Sequence, residues 1–434
     1  MLHYSAPPVV GGVEAVLRAH AGLFRAAGQA VTVVAGRGAG DALPAGARFA
    51  HIPELDSRHP AAERAQAGLA DGEPGEFEAL RARLAEPLGA ALAGHDDVVV
   101  HNVLTKHFNL ALTAALWDLL DAGRLGHVIA WCHDISWTSP SSRAQLRPGA
   151  PWDLLRTPHP RVTYVAVSRR RQAELAGLFG WPAERVPVVP NGVDPVTLLG
   201  FSKAGAALIA RLDLLSAELL LLMPVRVTRA KNVEFALHTL AALRAGGEDV
   251  RLVLTGPPDP HDPQNMSYYE ELRRLRSRLG LDGAMHFVYE CGPRPDEGLT
   301  IGARAVGDLL AVSDVLFMPS RREGFGMPVL EAGLAGVPVV CTPIPAAQEV
   351  GGEDVVLFDL AAGPEEVGAR IRAAVAASPT ARLRRRVRRE YTWQALFERA
   401  IRPLLRGAGG AGGAGGTEAG SPDAGDGGAD GKRV

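Results

Sequence analysis

Two glutamates, Glu323 and Glu331, stand eight positions apart in Ser320-Arg321-Arg322-Glu323-Gly324-Phe325-Gly326-Met327-Pro328-Val329-Leu330-Glu331. Carboxylates accept hydrogen bonds from hydroxyls, and this spacing lays two of them along a loop and one helical turn. Gly324 and Gly326 let a ligand approach the backbone of Phe325 and Met327 closely. Pro328 suits the first helical position, because its fixed φ and missing N–H cause no loss there. The N–H groups of Val329 and Leu330, with the positive end of the helix dipole, are then expected to face an anion. Hydroxyl acceptors beside an anion-friendly helix start are what gripping a nucleotide-linked sugar requires. A capped helix with two acidic residues is the plainer alternative; the embedded Gly-Phe-Gly and the apolar run Val315-Leu316-Phe317-Met318 before it favour a site.

Further residues could share that chemistry. Arg226 and Lys231 flank a loop after the apolar run Leu219-Leu220-Leu221-Leu222, with a helix expected from Asn232. Two fixed cations there can neutralise a diphosphate leaving group; a solvated basic loop is the alternative. Gly11 and Gly12 follow the first strand and open a helix, so Gly12 is a candidate for close backbone approach to phosphate or sugar. That loop has no Gly-x-Gly-x-x-Gly, which argues against a nicotinamide dinucleotide. His133 ends a predicted strand and could sit beside the reacting carbon or donate to a sugar hydroxyl. Asn102 and Thr105, after another strand, are weaker candidates for lining an acceptor pocket. With no Asp-x-Asp and no His-Glu-x-x-His, the leaving-group charge is expected to fall to protein cations without a metal or other cofactor. The basic run from Arg382 to Arg389 reads as a solvated helix face, and peripheral membrane contact through it is unsupported.

The elements that must position these residues alternate strand and helix along 434 residues, with 47% hydrophobic and 22% charged side chains. That pattern predicts α/β layers with parallel sheets. Net charge is −2, so no strong field recruits nucleic acid. Cys132, Cys291 and Cys341 form no Cys-x-x-Cys pair, and no apolar run is long enough to span a bilayer; a cytoplasmic protein without disulfides is expected. The first half runs through strands at Leu2–Ser5, Val31–Ala35, Val98–Val100, Val128–Trp131 and Thr163–Val167, and ends in a strand-like connection over Val186–Asp194. The second restarts at Leu219 and continues at Val250–Leu254, Met285–Val288, Val315–Met318 and Val339. A closing helix carries Trp393, Leu396, Phe397 and Ile401 at helical spacing. The domains expected are 1–195, 196–390, a helix at 391–406 and a disordered Gly/Ala-rich tail at 407–434. Residues 39–95 have weak strand signals, and Pro257–Tyr269 reads as a long loop. The first strand looks short, as if the true start lay slightly upstream or the strand were a clipped edge.

Taken together, these residues resemble the large retaining glycosyltransferase family 4. The resemblance rests on the Ser320–Glu331 segment with the following Ala-Gly-x-Pro-Val-Val, on Pro190-Asn191-Gly192-Val193-Asp194, and on Arg226 to Asn232. It implies a GT-B fold, two Rossmann-like domains facing a cleft, with the donor held by the second, the acceptor mainly by the first, and the last helix crossing back. It further implies that Glu323 and the Gly324–Met327 backbone contact the donor sugar, that Glu331 binds the ribose hydroxyls and that Arg226 and Lys231 hold the diphosphate. His133 would lie near the reacting centre, with retention and metal independence. The nucleotide diphosphate sugar is then a co-substrate, and the acceptor is an unspecified small molecule, glycan or lipid-linked group. The first loop lacks the Lys-x-Gly-Gly of starch and glycogen synthases, which disfavours polymerisation from ADP-glucose. A sugar-nucleotide epimerase on the same fold and a non-catalytic sugar-nucleotide binder stay open at this point.

Overall fold

The computed structural model describes residues 1–258, 264–294 and 297–406. The expected tail at 407–434 lies outside the described residues. The first sheet comprises β1 (Leu2–Ser5), β2 (Thr32–Arg37), β3 (Arg48–His51), β4 (Asp97–His101), β5 (His127–Cys132) and β6 (Val162–Ala166), in the order β3-β2-β1-β4-β5-β6. The second comprises β7 (Leu219–Met223), β8 (Val250–Leu254), β9 (Met285–Phe287), β10 (Val315–Met318), β11 (Val339–Cys341) and β12 (Val356–Leu357), in the order β12-β11-β10-β7-β8-β9. Every pairing is parallel. Each half thus repeats the doubly wound order 3-2-1-4-5-6, the Rossmann-like architecture expected for a GT-B chain.

Because both faces of each sheet are covered, the strands are continuously apolar and split by parity between two cores. Leu219, Leu221 and Met223 join one cluster, whereas Leu220 and Leu222 join the other. In the first half Val98 and Val100 face one side and Val99 the other. That second cluster also takes Leu396, Phe397 and Ile401 from the end of the chain, packed with Leu17, Phe24, Val33 and Trp131.

Several expectations change. The short β1 is no edge strand; it lies inside the sheet, paired with β2 and β4. Residues 39–95 contribute β3 and the helices Pro60–Asp71 and Gly75–Leu92. Val186–Asp194 forms only single bridges, Val188 with Ala166 and Val193 with Thr392. Part of the supposed Pro257–Tyr269 loop begins the helix Gln264–Arg278, while 259–263 lie outside the described residues. The final helix is interrupted by a π-helical turn over Phe397–Ile401.

The basic run is largely a staple. On the helix Pro379–Glu390, Arg388 is buried and donates to Val312 O, Ala217 O and Asp314 Oδ2 at 2.7, 2.9 and 2.7 Å. Arg384 reaches Ser313 O and Ala335 O, and Arg389 pairs with Glu218. Among the described residues no helix is long and apolar enough to cross a membrane, and the three cysteines are free and buried.

Candidate functional site

In a doubly wound sheet the chain leaves in opposite directions from the first and fourth strands, and the crevice at their carboxyl ends is where ligands fit. In the second sheet those strands are β7 and β10. Arg226 and Lys231 follow β7, and Glu323 follows β10. Topology alone therefore brings together residues almost a hundred positions apart.

They line one pocket of about 940 Å³, with Arg226, Lys231, Glu323, Phe325, Gly326, Met327 and Glu331 in its wall. Its other wall is apolar: Ala303, Val306, Gly307 and Leu310 from the helix Ala303–Val312, and Leu334 and Ala335. Gly324, Val329 and Leu330 do not line it.

Lys231 and Glu323 contact each other directly, Nζ to Oε2 at 2.5 Å, with the side chains only 19% and 8% exposed. Ser320 Oγ donates to the other carboxylate oxygen at 2.6 Å, and Thr342 Oγ1 holds Ser320 O at 2.5 Å. The two loops are also stitched by their backbones. Arg321 N donates to Ala230 O at 2.8 Å, and Arg321 Nη2 donates to Asn232 Oδ1 at 3.2 Å. Asn232, buried at φ 52°, precedes the helix Val233–Arg244, one residue later than expected. The ammonium still has two further donors, and each carboxylate oxygen has a second lone pair, so neither group is saturated.

The helix start differs from expectation. The helix Met327–Ala335 begins at Met327, with Gly326 at φ 85° before it and Pro328 second. Val329 N donates to Gly326 O at 2.9 Å, so that N–H is spent inside the turn and Val329 itself is buried. Pro328 has no N–H, and the backbone contribution narrows to Met327 and the loop before it. Gly256 was not foreseen. It follows β8, and a Cβ there would lie 2.4 Å from Val225 O and 2.8 Å from Arg226 N, so only glycine lets that loop seat the Arg226 backbone. The Thr-Gly-Pro-Pro run after an apolar strand was the available signal.

The first-sheet candidates lie elsewhere; no residue of that half lines the 940 Å³ pocket. Gly12 is exposed, and a Cβ on it would meet nothing within 4 Å. The more crowded glycine is its neighbour Gly11, where an added Cβ would sit 2.0 Å from Glu14 Oε2 and displace that side chain. Glu14 is itself fixed by Ser5 Oγ at 2.5 Å.

His133, just after β5, is buried, and its main chain is clamped from both sides. Asn102 Oδ1 accepts from His133 N and Asp134 N at 2.9 and 3.0 Å, and Arg171 Nε donates to His133 O at 3.1 Å. Asn102 adopts φ 61° to do so. Thr105 is fully buried, with its hydroxyl donated to Asp134 O at 2.7 Å. The structure thus gives Asn102 and Thr105 work inside the His133 loop, and adds Arg171, which the sequence hid in the run Arg169-Arg170-Arg171. Burial pushes the His133 imidazole down to about 4, with the neighbouring His3 adding to the fall and Asp134 opposing it. His133 is therefore neutral near pH 7. Among the described residues no three His, Cys, Asp or Glu side chains converge as a metal-binding group.

Residues 218–376 match the family model described as glycosyl transferases group 1, and residues 10–196 match that of glycosyltransferase family 4. The chain is 32% identical over 204 residues to a D-inositol 3-phosphate glycosyltransferase of Streptomyces bingchenggensis, covering 45% of this chain and 39% of that protein. It is 29% identical over 270 residues to a GDP-mannose-dependent alpha-(1-6)-phosphatidylinositol monomannoside mannosyltransferase of Mycolicibacterium smegmatis, covering 59% and 62%. The chain thus spans about two fifths to three fifths of the length of these curated relatives. A crystal structure of Anabaena Alr3699/HepE in complex with UDP-glucose aligns over 93% of this chain and 99% of that one at 18% identity; its TM-score, 0.34, is too low to bear on the site.

Proposed function

The chain belongs to glycosyltransferase family 4, and from that premise we propose that it transfers a hexosyl group from a nucleotide diphosphate sugar to an acceptor, with retention and without a metal. One observation carries the reading: Arg226, Lys231, Glu323 and Glu331 line a single pocket at the carboxyl ends of β7 and β10. In this reading a donor lies along that pocket. The diphosphate lies against Arg226 and Lys231, the ribose hydroxyls reach Glu331, and the base enters the apolar end between Val306 and Leu334. The sugar hydroxyls then meet Glu323, whose carboxylate is held by Ser320 and Lys231 before any ligand arrives.

As the bond from the sugar to the diphosphate breaks, charge accumulates on the leaving oxygens. Arg226 and Lys231 stabilise it from fixed positions, so the protein reorganises little during the step. Glu323 cannot act as a free base while it is ion-paired; it orients the sugar. His133, across from the donor in this reading, presents a neutral imidazole to the reacting centre. The donor and acceptors in the relatives' names, GDP-mannose and inositol-bearing compounds, make GDP-mannose and inositol phosphate the first to try.

Donor hydrolysis or transfer is measured in the parent, Glu323→Ala and Lys231→Ala, with folding followed by circular dichroism. Collapse of turnover in both variants while they remain folded is expected. Unchanged turnover in both would remove the pocket from the reaction.

A further inference from the structure

Four of the histidines form a column inside the first half. His3 Nδ1 lies 2.9 Å from His101 O, and His101 Nδ1 lies 3.2 Å from His133 Nε2. The His101 and His133 rings are within 23° of parallel with centroids 5.5 Å apart, and His20 packs 5.4 Å from His101. His101 is fully buried, and its Nε2 has no hydrogen-bond partner.

A neutral imidazole carries one N–H and one lone pair, so the column has two possible proton arrangements. In one, His101 holds its proton on Nδ1 and donates to His133 Nε2. The unpaired Nε2 of His101 is then a bare lone pair. In the other, His133 Nε2 donates to His101 Nδ1, and the His101 proton sits on Nε2, an N–H enclosed without an acceptor. Orphaned buried donors are the rarer and costlier defect, and among the described residues nothing accepts from Nε2: the neighbouring His20 nitrogens and Trp131 Nε1 make no hydrogen bond with it. Both imidazoles are held neutral by burial, which excludes a third arrangement with a shared extra proton.

We propose that His101 is a positioning residue that fixes the tautomer of His133, so that His133 carries its proton on Nδ1 and offers that N–H, rather than a lone pair, to a bound ligand. No described residue bonds His133 Nδ1, and the clamp from Asn102 and Arg171 leaves the ring no other anchor than His101. His133 then acts toward a sugar or acceptor hydroxyl as a neutral donor. It cannot abstract a proton through that nitrogen. The tautomer follows from the apo geometry alone; its use in transfer rests on the glycosyltransferase reading.

The test is imidazole nitrogen NMR on the full chain, with the His133 signal assigned through His133→Gln. The parent and His101→Asn, whose amide can replace the Nδ1–H donor, are expected to show the His133 proton on Nδ1. In His101→Leu the preference is expected to disappear. A proton on His133 Nε2 in the parent, or an unchanged His133 tautomer in His101→Leu, overturns the proposal. If His101→Leu fails to fold, the parent and His101→Asn spectra still decide. In turnover assays His101→Leu is expected to lose about tenfold, as for one lost hydrogen bond, with donor affinity retained, and His101→Asn to recover most of it. A parent with the expected tautomer but no turnover would fell the glycosyltransferase reading and leave the tautomer standing.

Discussion

Glu323 neutralises Lys231 in the unliganded protein, so substitutions of the two residues should move nucleotide affinity in opposite directions. Lys231→Ala removes a cation that is mostly enclosed and 2.5 Å from the Glu323 carboxylate. A hydrogen bond to a charged group contributes about 1.5–3 kcal/mol, so affinity for a bare nucleoside diphosphate should fall by roughly 10- to 150-fold. Glu323→Gln keeps the shape of the side chain and the bond from Ser320, and leaves Lys231 without its counter-charge. A diphosphate then meets an uncompensated ammonium, and affinity should rise by up to about fivefold, the equivalent of about 1 kcal/mol. Turnover should nevertheless drop in Glu323→Gln, because an amide accepts sugar hydroxyls less strongly than a carboxylate. Isothermal titration with UDP, GDP and ADP, at one fixed salt concentration, measures the affinities, and urea unfolding confirms that both variants are folded. A loss of nucleoside diphosphate affinity in Glu323→Gln as large as that in Lys231→Ala would show that Glu323 does not hold Lys231 neutralised.

Three further outcomes follow from the same geometry. Arg388→Met strands the Asp314 carboxylate, which is fully buried and otherwise bonded only to Leu220 N, and should cost about 3–5 kcal/mol in urea unfolding; adding Asp314→Asn should recover part of that loss. Gly256→Ala forces its new Cβ into Val225 O and the Arg226 backbone, so stability should fall by about 1–3 kcal/mol and nucleotide affinity should fall with it. Burial holds His133 at about 4 and His20 at about 3, below the ordinary 6.5, so the unfolded chain binds protons first as the pH falls. Stability is complete above about pH 6.5 and should decline toward pH 4, by about 3 kcal/mol from His133 alone; urea midpoints between pH 7 and 4.5 should show it, with a shallower slope in His20→Leu.

The second sheet was the more legible half because its strands are uninterrupted runs, such as Leu219–Met223, that both packed faces demand. Arg226, Lys231, Glu323 and Glu331 fall in one pocket for a related reason: each sits at a fixed offset from such a run, and the doubly wound order brings those offsets together. What the sequence hid depends on contacts between distant segments. The Lys231–Glu323 pair spans 92 positions, and nothing local distinguishes a paired glutamate from a free one. β3 has only Phe49 and Ala50 as apolar residues, both half-buried at an edge, so its alternation is faint. The arginine run looked solvated because its partners are mostly carbonyl oxygens at strand and helix ends, which carry no sequence signature. Val329 was misplaced by one helical position, since Met327 rather than Pro328 opens the helix.

On the proposed function, the pocket between Lys231 and Glu331 holds a nucleoside diphosphate sugar. A crystal structure of the chain soaked with the best-binding nucleotide of the titration series tests it most directly. The diphosphate is expected against Arg226 and Lys231, with both ribose hydroxyls on Glu331. A nucleotide bound elsewhere, with this pocket empty, would contradict it.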